Sequence, residues 1–168
     1  MKNLTIVVTG PTGSGKTSVS LALAKKLDKC VFIEVDHIKH MILSGFYKQN
    51  KQWLYSEWKL VGQTIGIMTN NFLANDFNVV IGGYMHSDGW TSLSNQVDIT
   101  HKFLLNPSKE VIKIRDNERD SKYFMGEEAI QEHIEYLAIN TVFEDFHGID
   151  STEQTVEQTV DEILDRIS

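Results

Sequence analysis

Gly10-Pro11-Thr12-Gly13-Ser14-Gly15-Lys16-Thr17 matches G-x-x-x-x-G-K-[ST] in full, and the chemistry of that spacing is phosphate binding. Glycines reach backbone angles closed to other residues, so successive N–H groups can converge on phosphate oxygens. A helix opening directly behind the loop adds its positive N-terminal dipole. Lys16 is then expected to reach the β- and γ-phosphates of ATP, and the Thr17 hydroxyl to ligate Mg²⁺. Gly10, Thr12, Gly13, Ser14, Gly15, Lys16, Thr17 and Ser18 are the expected nucleotide contacts. A chance Gly-rich turn is the plain alternative, and it is weakened by the strand before the loop and the helix after it.

A second group of candidates closes the next apolar run, Phe32-Ile33-Glu34-Val35-Asp36. Strand alternation predicts that Glu34 and Asp36 face the same way at its carboxyl end. There Asp36 could accept the proton of a substrate hydroxyl while Glu34 serves the metal. Asp36 also reads as a helix N-cap. Arg115 and Arg119 stand at i and i+4, hence on one helix face. The ordinary reading of that pair is a solvated face bridged to Glu118 and Asp120. Between the second and third strands, His37, His40, Met41, Phe46, Tyr47, Trp53, Tyr55 and Trp58 concentrate aromatic and imidazole groups. They could stack on a sugar or base, or simply pack a core. No third ligand at matching spacing joins His37 and His40, so zinc is not expected.

The elements that must position these residues alternate. Leu4–Thr9, Cys30–Val35, Phe77–Ile81 and Ile99–Leu105 are continuous apolar runs of the kind buried on both faces of a sheet, and Val142–Ile149 is the expected last strand. Helical spacing covers Thr17–Leu27, Gln52–Ala74, residues 108–119, Glu127 to about Thr141, and Thr152–Ile167 with Ser151 or Thr152 as its cap. Leu60, Val61, Ile65, Met68, Phe72 and Leu73 form the expected core stripe of the second helix. The prediction is an α/β fold, a five-stranded parallel sheet with helices on both faces. Ligands of such sheets bind beyond the carboxyl ends of the strands.

The 168 residues suit a single domain and exclude a separate lid domain or paired helicase lobes. A formal net charge of −7 argues against coating nucleic acid, which requires clustered Lys and Arg. One cysteine, Cys30, forms no internal disulfide, and no apolar stretch is long enough to span a membrane, so a cytoplasmic protein is expected.

The phosphate loop followed by Glu34-Val35-Asp36 resembles the small-molecule P-loop kinases, a group that includes the shikimate, gluconate and chloramphenicol kinases. The stretch Asp36-His37-Ile38-Lys39-His40-Met41 is most similar to bacterial gluconate-kinase-like proteins. The resemblance covers nearly the whole chain and implies a P-loop NTPase fold of the nucleoside monophosphate kinase type. It implies Asp36 as the base or hydroxyl-orienting residue and Glu34 as the metal-side acid. It further implies an acceptor-site insertion at about 37–75 and a lid at about 115–128, with Ser121 to Gly126 as its moving part. In such a lid Arg119 covers the γ-phosphate and Arg115 touches adenine or phosphate, while Ser151 lies on the loop against the adenine.

One departure stands out. Asn78-Val79-Val80-Ile81 runs into Gly82-Gly83-Tyr84-Met85-His86 with no acid before Asp88, where many P-loop proteins place a metal anchor. Gly82 and Gly83 either admit a substrate to the backbone or only form a tight turn. The leading expectation is an ATP- and Mg²⁺-dependent phosphotransferase acting on a small hydroxyl-bearing substrate. A nucleoside or polynucleotide 5′-hydroxyl kinase, and an ATP-binding regulatory or resistance module with little turnover, are the alternatives. The oligomeric state is not legible.

Overall fold

A computed structural model describes residues 3–43, 55–118 and 124–167, with only the backbone at Tyr55 and Ser56. Strand β1 (Thr5–Thr9) leads through the phosphate loop into helix α1 (Lys16–Lys26). Then follow β2 (Cys30–Glu34), α2 (Val35–His40), α3 (Tyr55–Leu73), β3 (Asn78–Gly82), α4 (Ser87–Ser94) and β4 (His101–Leu105). The chain ends with α5 (Lys109–Asn117), α6 (Glu127–Ile139), a 3-10 turn at Thr141–Phe143, β5 (His147–Ile149) and α7 (Val156–Ile167).

The five strands form one parallel sheet in the order β2-β3-β1-β4-β5. Every residue of β1 is buried, as the continuous apolar run predicts for a central parallel strand. Period-two alternation splits it between two cores. Val7 joins Val79 and Ile81 under α3 and α4, with Trp58, Val61, Ile65, Trp90 and Leu93. Ile6 and Val8 face α1 and α7, with Val19, Leu23, Val160 and Ile163. Helices therefore cover both faces, and none described is long and apolar enough to cross a membrane.

Several expected boundaries change. Asp36 is not a strand residue: β2 stops at Glu34 and α2 begins at Val35, so Asp36 lies in a first helical turn. Nor is it the cap, a position held by Glu34 without a side-chain cap bond. The last strand is confined to His147–Ile149, because Thr141–Phe143 coils into the 3-10 turn that buries Phe143. Helix α7 starts four residues later than expected. Thr155 caps it in a reciprocal box, its Oγ1 accepting from the Gln158 N–H (3.2 Å) while Gln158 Oε1 accepts from the Thr155 N–H (2.8 Å). Thr152 instead accepts from the Ser108 N–H (2.8 Å), tying the loop after β5 to the start of α5. Leu60 points outward, 48% exposed, and Trp58 takes its place in the core stripe.

Helix α4 lies outside the sequence reading. Trp90, Leu93 and Val97 carry its apolar spacing, but Gly89 interrupts the pattern. That glycine lets α4 press against α3: a Cβ on Gly62 would stand 2.1 Å from the Gly89 carbonyl oxygen. Backbone cannot yield as a flexible side chain does. Gly62→Ala should therefore lower stability by about 2 kcal/mol. In urea unfolding the midpoint should fall at unchanged slope, and an unchanged midpoint would show that the helices can part without cost.

Candidate active site

The loop between β1 and α1 turns on Gly13 (φ 76°) and Gly15 (φ 87°), both in the left-handed region. At Gly13 a second constraint applies, since a Cβ there would meet the Ile112 carbonyl oxygen of α5 at 2.9 Å. Gly15 is the N-cap residue of α1. The Lys16 ammonium donates to the Pro11 carbonyl oxygen at 3.1 Å, folded over the loop it is expected to serve.

Beside the loop lies a cavity of about 390 Å³ lined by Gly13, Ser14, Gly15, Ser18, Arg115 and Ser151, closed on its far side by residues 154–156 and Thr159 of the α7 entry. Arg115 spans it, Nη1 donating to the Ser14 carbonyl oxygen (3.5 Å) and Nη2 to that of Ser151 (3.4 Å). These are long hydrogen bonds, and they hold the guanidinium over the cavity rather than on a solvated helix face. The expected residues Gly13, Ser14, Gly15, Ser18, Arg115 and Ser151 are thus brought together. Gln154, Thr155 and Thr159 were not expected there; the capping box beginning at Thr155 was their sequence signal. The buried hydroxyls Ser14 Oγ and Ser151 Oγ have no hydrogen-bond partner among the described residues. Such orphaned polar atoms bordering a cavity suit a polar ligand.

On the other side of Lys16 the acids part company. Thr17 Oγ1 donates to Glu34 Oε1 at 3.3 Å, joining the two oxygen donors expected to hold metal. His37 Nε2 lies 3.4 Å from Glu34 Oε2, on a ring that is mostly exposed. Asp36, half-exposed, faces Lys39 across 3.8 Å. Because α2 starts at Val35, a helical turn rather than strand alternation separates Glu34 and Asp36. No cluster of three His, Cys, Asp or Glu side chains suited to a metal occurs among the described residues. At the end of β3 both glycines are closely packed. A Cβ on Gly82 would strike the buried Ser20 side chain (2.4 Å), and one on Gly83 would strike Val35 (2.5 Å). Those glycines make room for α1 and α2, a packing reason for the two glycines beside the turn expected there.

The sequence reading missed a cluster of rings. Tyr84 stacks on His133 (centroids 4.2 Å, 15° between planes), and His86 lies against Tyr136 (4.3 Å). Trp58 stacks on His86 (5.8 Å) and meets Tyr84 edge-on, with the Lys39 ammonium 5.3 Å from its own ring centroid. The Tyr136 hydroxyl donates to Ser87 Oγ and accepts from the Ser87 N–H. The pairs Tyr84-x-His86 and His133-x-x-Tyr136 were its only local signals. Burial, then the charges of Lys16, Lys39 and His86, push the His133 imidazole down to about 4, with Asp36 opposing them. Its Nδ1 is buried without a partner among the described residues. Burial also lowers the His86 imidazole, against Asp88, and raises the Tyr84 phenol.

Asp116 proves structural. It is almost fully buried, and its carboxylate accepts from the N–H groups of Met125 (3.2 Å) and Gly126 (3.1 Å). Within the expected lid, Arg119, Asp120 and residues 121–123 lie outside the described residues, as do Phe46, Tyr47 and Trp53 of the acceptor insertion.

No protein-family model and no curated protein sequence matches the chain. Solved structures do match its fold. A sugar kinase from Janibacter sp. HTCC2649 has a TM-score of 0.72 at 18% identity, covering 98% of this chain and 94% of its own. The tunicamycin resistance protein of Deinococcus radiodurans reaches 0.73 at 16% identity (99% and 96%). A gluconokinase from Sinorhizobium meliloti 1021 reaches 0.67 at 22% identity (98% and 91%). The fold is therefore that of the P-loop kinases, as the sequence resemblance implied.

The lowered His133 pKa carries a stability consequence. Below pH 6.5 the unfolded imidazole takes up a proton that the folded one refuses, so stability is full above 6.5 and declines toward about 4. The contribution is at most about 3 kcal/mol. His133→Asn should accordingly lose less stability than the parent between about pH 7 and about pH 4.5 in urea unfolding. Equal losses would place the His133 ring in water.

Proposed function

We propose that the chain is an ATP-dependent phosphotransferase that moves the γ-phosphoryl group to a hydroxyl of a small molecule. The observation that carries this reading is the phosphate loop with its Arg115-spanned cavity on one side and, on the other, the Thr17 hydroxyl bonded to Glu34, two residues before the half-exposed Asp36. The names of the structural neighbours, a sugar kinase, a gluconokinase and an antibiotic resistance protein, support it.

The residues present fit ATP and Mg²⁺. The glycine loop offers backbone N–H groups, Ser14 and Ser151 offer unpartnered hydroxyls, and Thr17 with Glu34 offers the oxygen donors that a hard cation takes. Bound there, Mg²⁺ would neutralise charge on the phosphate oxygens. Lys16 exchanges the Pro11 carbonyl for phosphate oxygens, and Arg115 orients the nucleotide in its cavity. Asp36 would accept the proton of the acceptor hydroxyl as its oxygen bonds to the γ-phosphorus and the bond to the bridging oxygen breaks, releasing ADP; its half-exposed carboxylate is open to an incoming molecule. Arg119, which lies outside the described residues, would stabilise charge on the transferring group.

A second reading, an ATP-binding regulatory or resistance module with little turnover, draws on the β3 terminus, where packed glycines stand in place of an acid. A nucleoside or polynucleotide 5′-hydroxyl kinase would use the same residues.

ADP release from Mg²⁺-ATP, screened over gluconate, shikimate, nucleosides, a 5′-hydroxyl oligonucleotide and hydroxylated antibiotics, separates these readings. Asp36→Asn should cut acceptor-dependent release by about 100- to 1,000-fold while ATP still binds. Lys16→Ala should weaken the handling of ATP itself. ATP binding that no acceptor converts into ADP release would favour the module.

A further inference from the structure

The far wall of the nucleotide cavity is held by a chain of hydrogen bonds that leads out of it. Gln154, Thr155 and Thr159 line the cavity, whereas Glu162 and Arg166, further along α7, do not. The Gln154 amide is engaged at both ends: Nε2 donates to Glu162 Oε2 (2.7 Å) and Oε1 accepts from Thr159 Oγ1 (3.0 Å). Thr159 is buried, and its one hydroxyl proton lies between Gln154 Oε1 and the Thr155 carbonyl oxygen, also at 3.0 Å. Glu162 is fixed in turn by Arg166, whose Nη2 donates to Oε1 at 2.8 Å. Chemistry sets the direction of this chain. A carboxylate only accepts, so Glu162 must face the nitrogen end of the amide, and Oε1 is thereby turned to the Thr159 hydroxyl. The Gln154 bond and then the Arg166 bond hold the Glu162 carboxyl below its ordinary range, which keeps it in the accepting form at neutral pH.

The phosphotransferase reading puts the phosphates of ATP on the glycine loop, which leaves the wall across the cavity to the base and ribose. Building on that reading, we propose that Glu162 is a positioning residue for the base and ribose: without entering the cavity, it fixes Gln154 and, through it, the wall of Gln154, Thr155 and Thr159. A glutamine side chain left loose must be ordered when a ligand packs on it, and that ordering subtracts from affinity. Glu162 orders it before the nucleotide arrives. An exposed i,i+4 ion pair such as Glu162–Arg166 contributes little to stability by itself, so the effect of Glu162 shows in binding rather than in folding.

Two probes divide the cavity: Mg²⁺-ATP, which fills both ends, and tripolyphosphate, which has only the phosphate end to offer. Each is titrated calorimetrically into the full chain, with thermal melts reporting the fold of every variant. Glu162→Ala should weaken ATP about fivefold, the order of immobilising one side chain, and leave tripolyphosphate within about twofold of the parent. Gln154→Leu should act alike, and the double variant should bind ATP no more weakly than Gln154→Leu alone, because Glu162 acts only through Gln154. Glu162→Gln keeps an accepting oxygen and should recover most of the ATP affinity. If Glu162→Ala does not fold, Arg166→Ala, which releases the Glu162 carboxylate, takes its place with the same expected split. Undiminished ATP affinity in the folded variant would overturn the inference. So would an equal loss of both probes, or losses that add in the double variant, a comparison that needs ATP alone. Failure of the parent protein to bind ATP would instead overturn the phosphotransferase reading beneath it.

Discussion

At Gly13 there is no room for a side chain, and much of the nucleotide side follows from that exclusion. Strand β1 is buried on every residue at the middle of the sheet, so it can deliver its loop to one place only. The loop turns through left-handed angles at Gly13 and Gly15, and the bare Cα of Gly13 lets the Ile112 carbonyl of α5 come close. That approach seats α5 against the loop. Arg115, about one turn beyond Ile112, then lies over the cavity. Ser108 caps the same helix and donates its own N–H to Thr152, which brings Ser151 to the opposite wall. One missing methyl thus governs how two helices and a loop frame the nucleotide side.

The two halves of the site are built on different physics. The nucleotide half is polar and fixed by backbone: amides, carbonyls and buried hydroxyls leave little freedom of shape. The other half consists of rings contributed by α3, α6 and the β3–α4 connection, half-buried around Trp58. Ring pairs tolerate sliding with small energetic consequence, so substitutions among them need not disturb the phosphate loop. A fold shared with proteins named for different substrates fits that division of labour.

What could be read from the sequence follows how local each feature is. The phosphate loop is contiguous and carries its own geometry, and the buried strands around it announce themselves by composition. Arg115 stands out in the sequence by its spacing from Arg119, and the fold sets it over the cavity beside the loop. The ring cluster was not, because Tyr84, His86, His133 and Tyr136 meet only after a parallel crossover brings α6 over the β3–α4 connection. Asp36 was assigned the right edge of the sheet but the wrong local structure, since a helix can begin directly after a strand with no loop residue to mark it. Helix α4 was hidden by Gly89, whose role depends on a neighbour, Gly62, 27 residues away in sequence.

Asp116 deserves a last consideration as a fastener. Its buried carboxylate grips the chain where it returns at Met125 and Gly126, one residue before α6 begins. Both ends of the intervening segment are therefore fixed by the body of the protein, independently of what lies between them. For a loop closed in this way, the entropic cost of added residues grows only with the logarithm of length, about 0.6 kcal/mol per doubling. With the chain pinned at Asp116 and again at Met125 and Gly126, a change of length between these points need not displace α5 or α6.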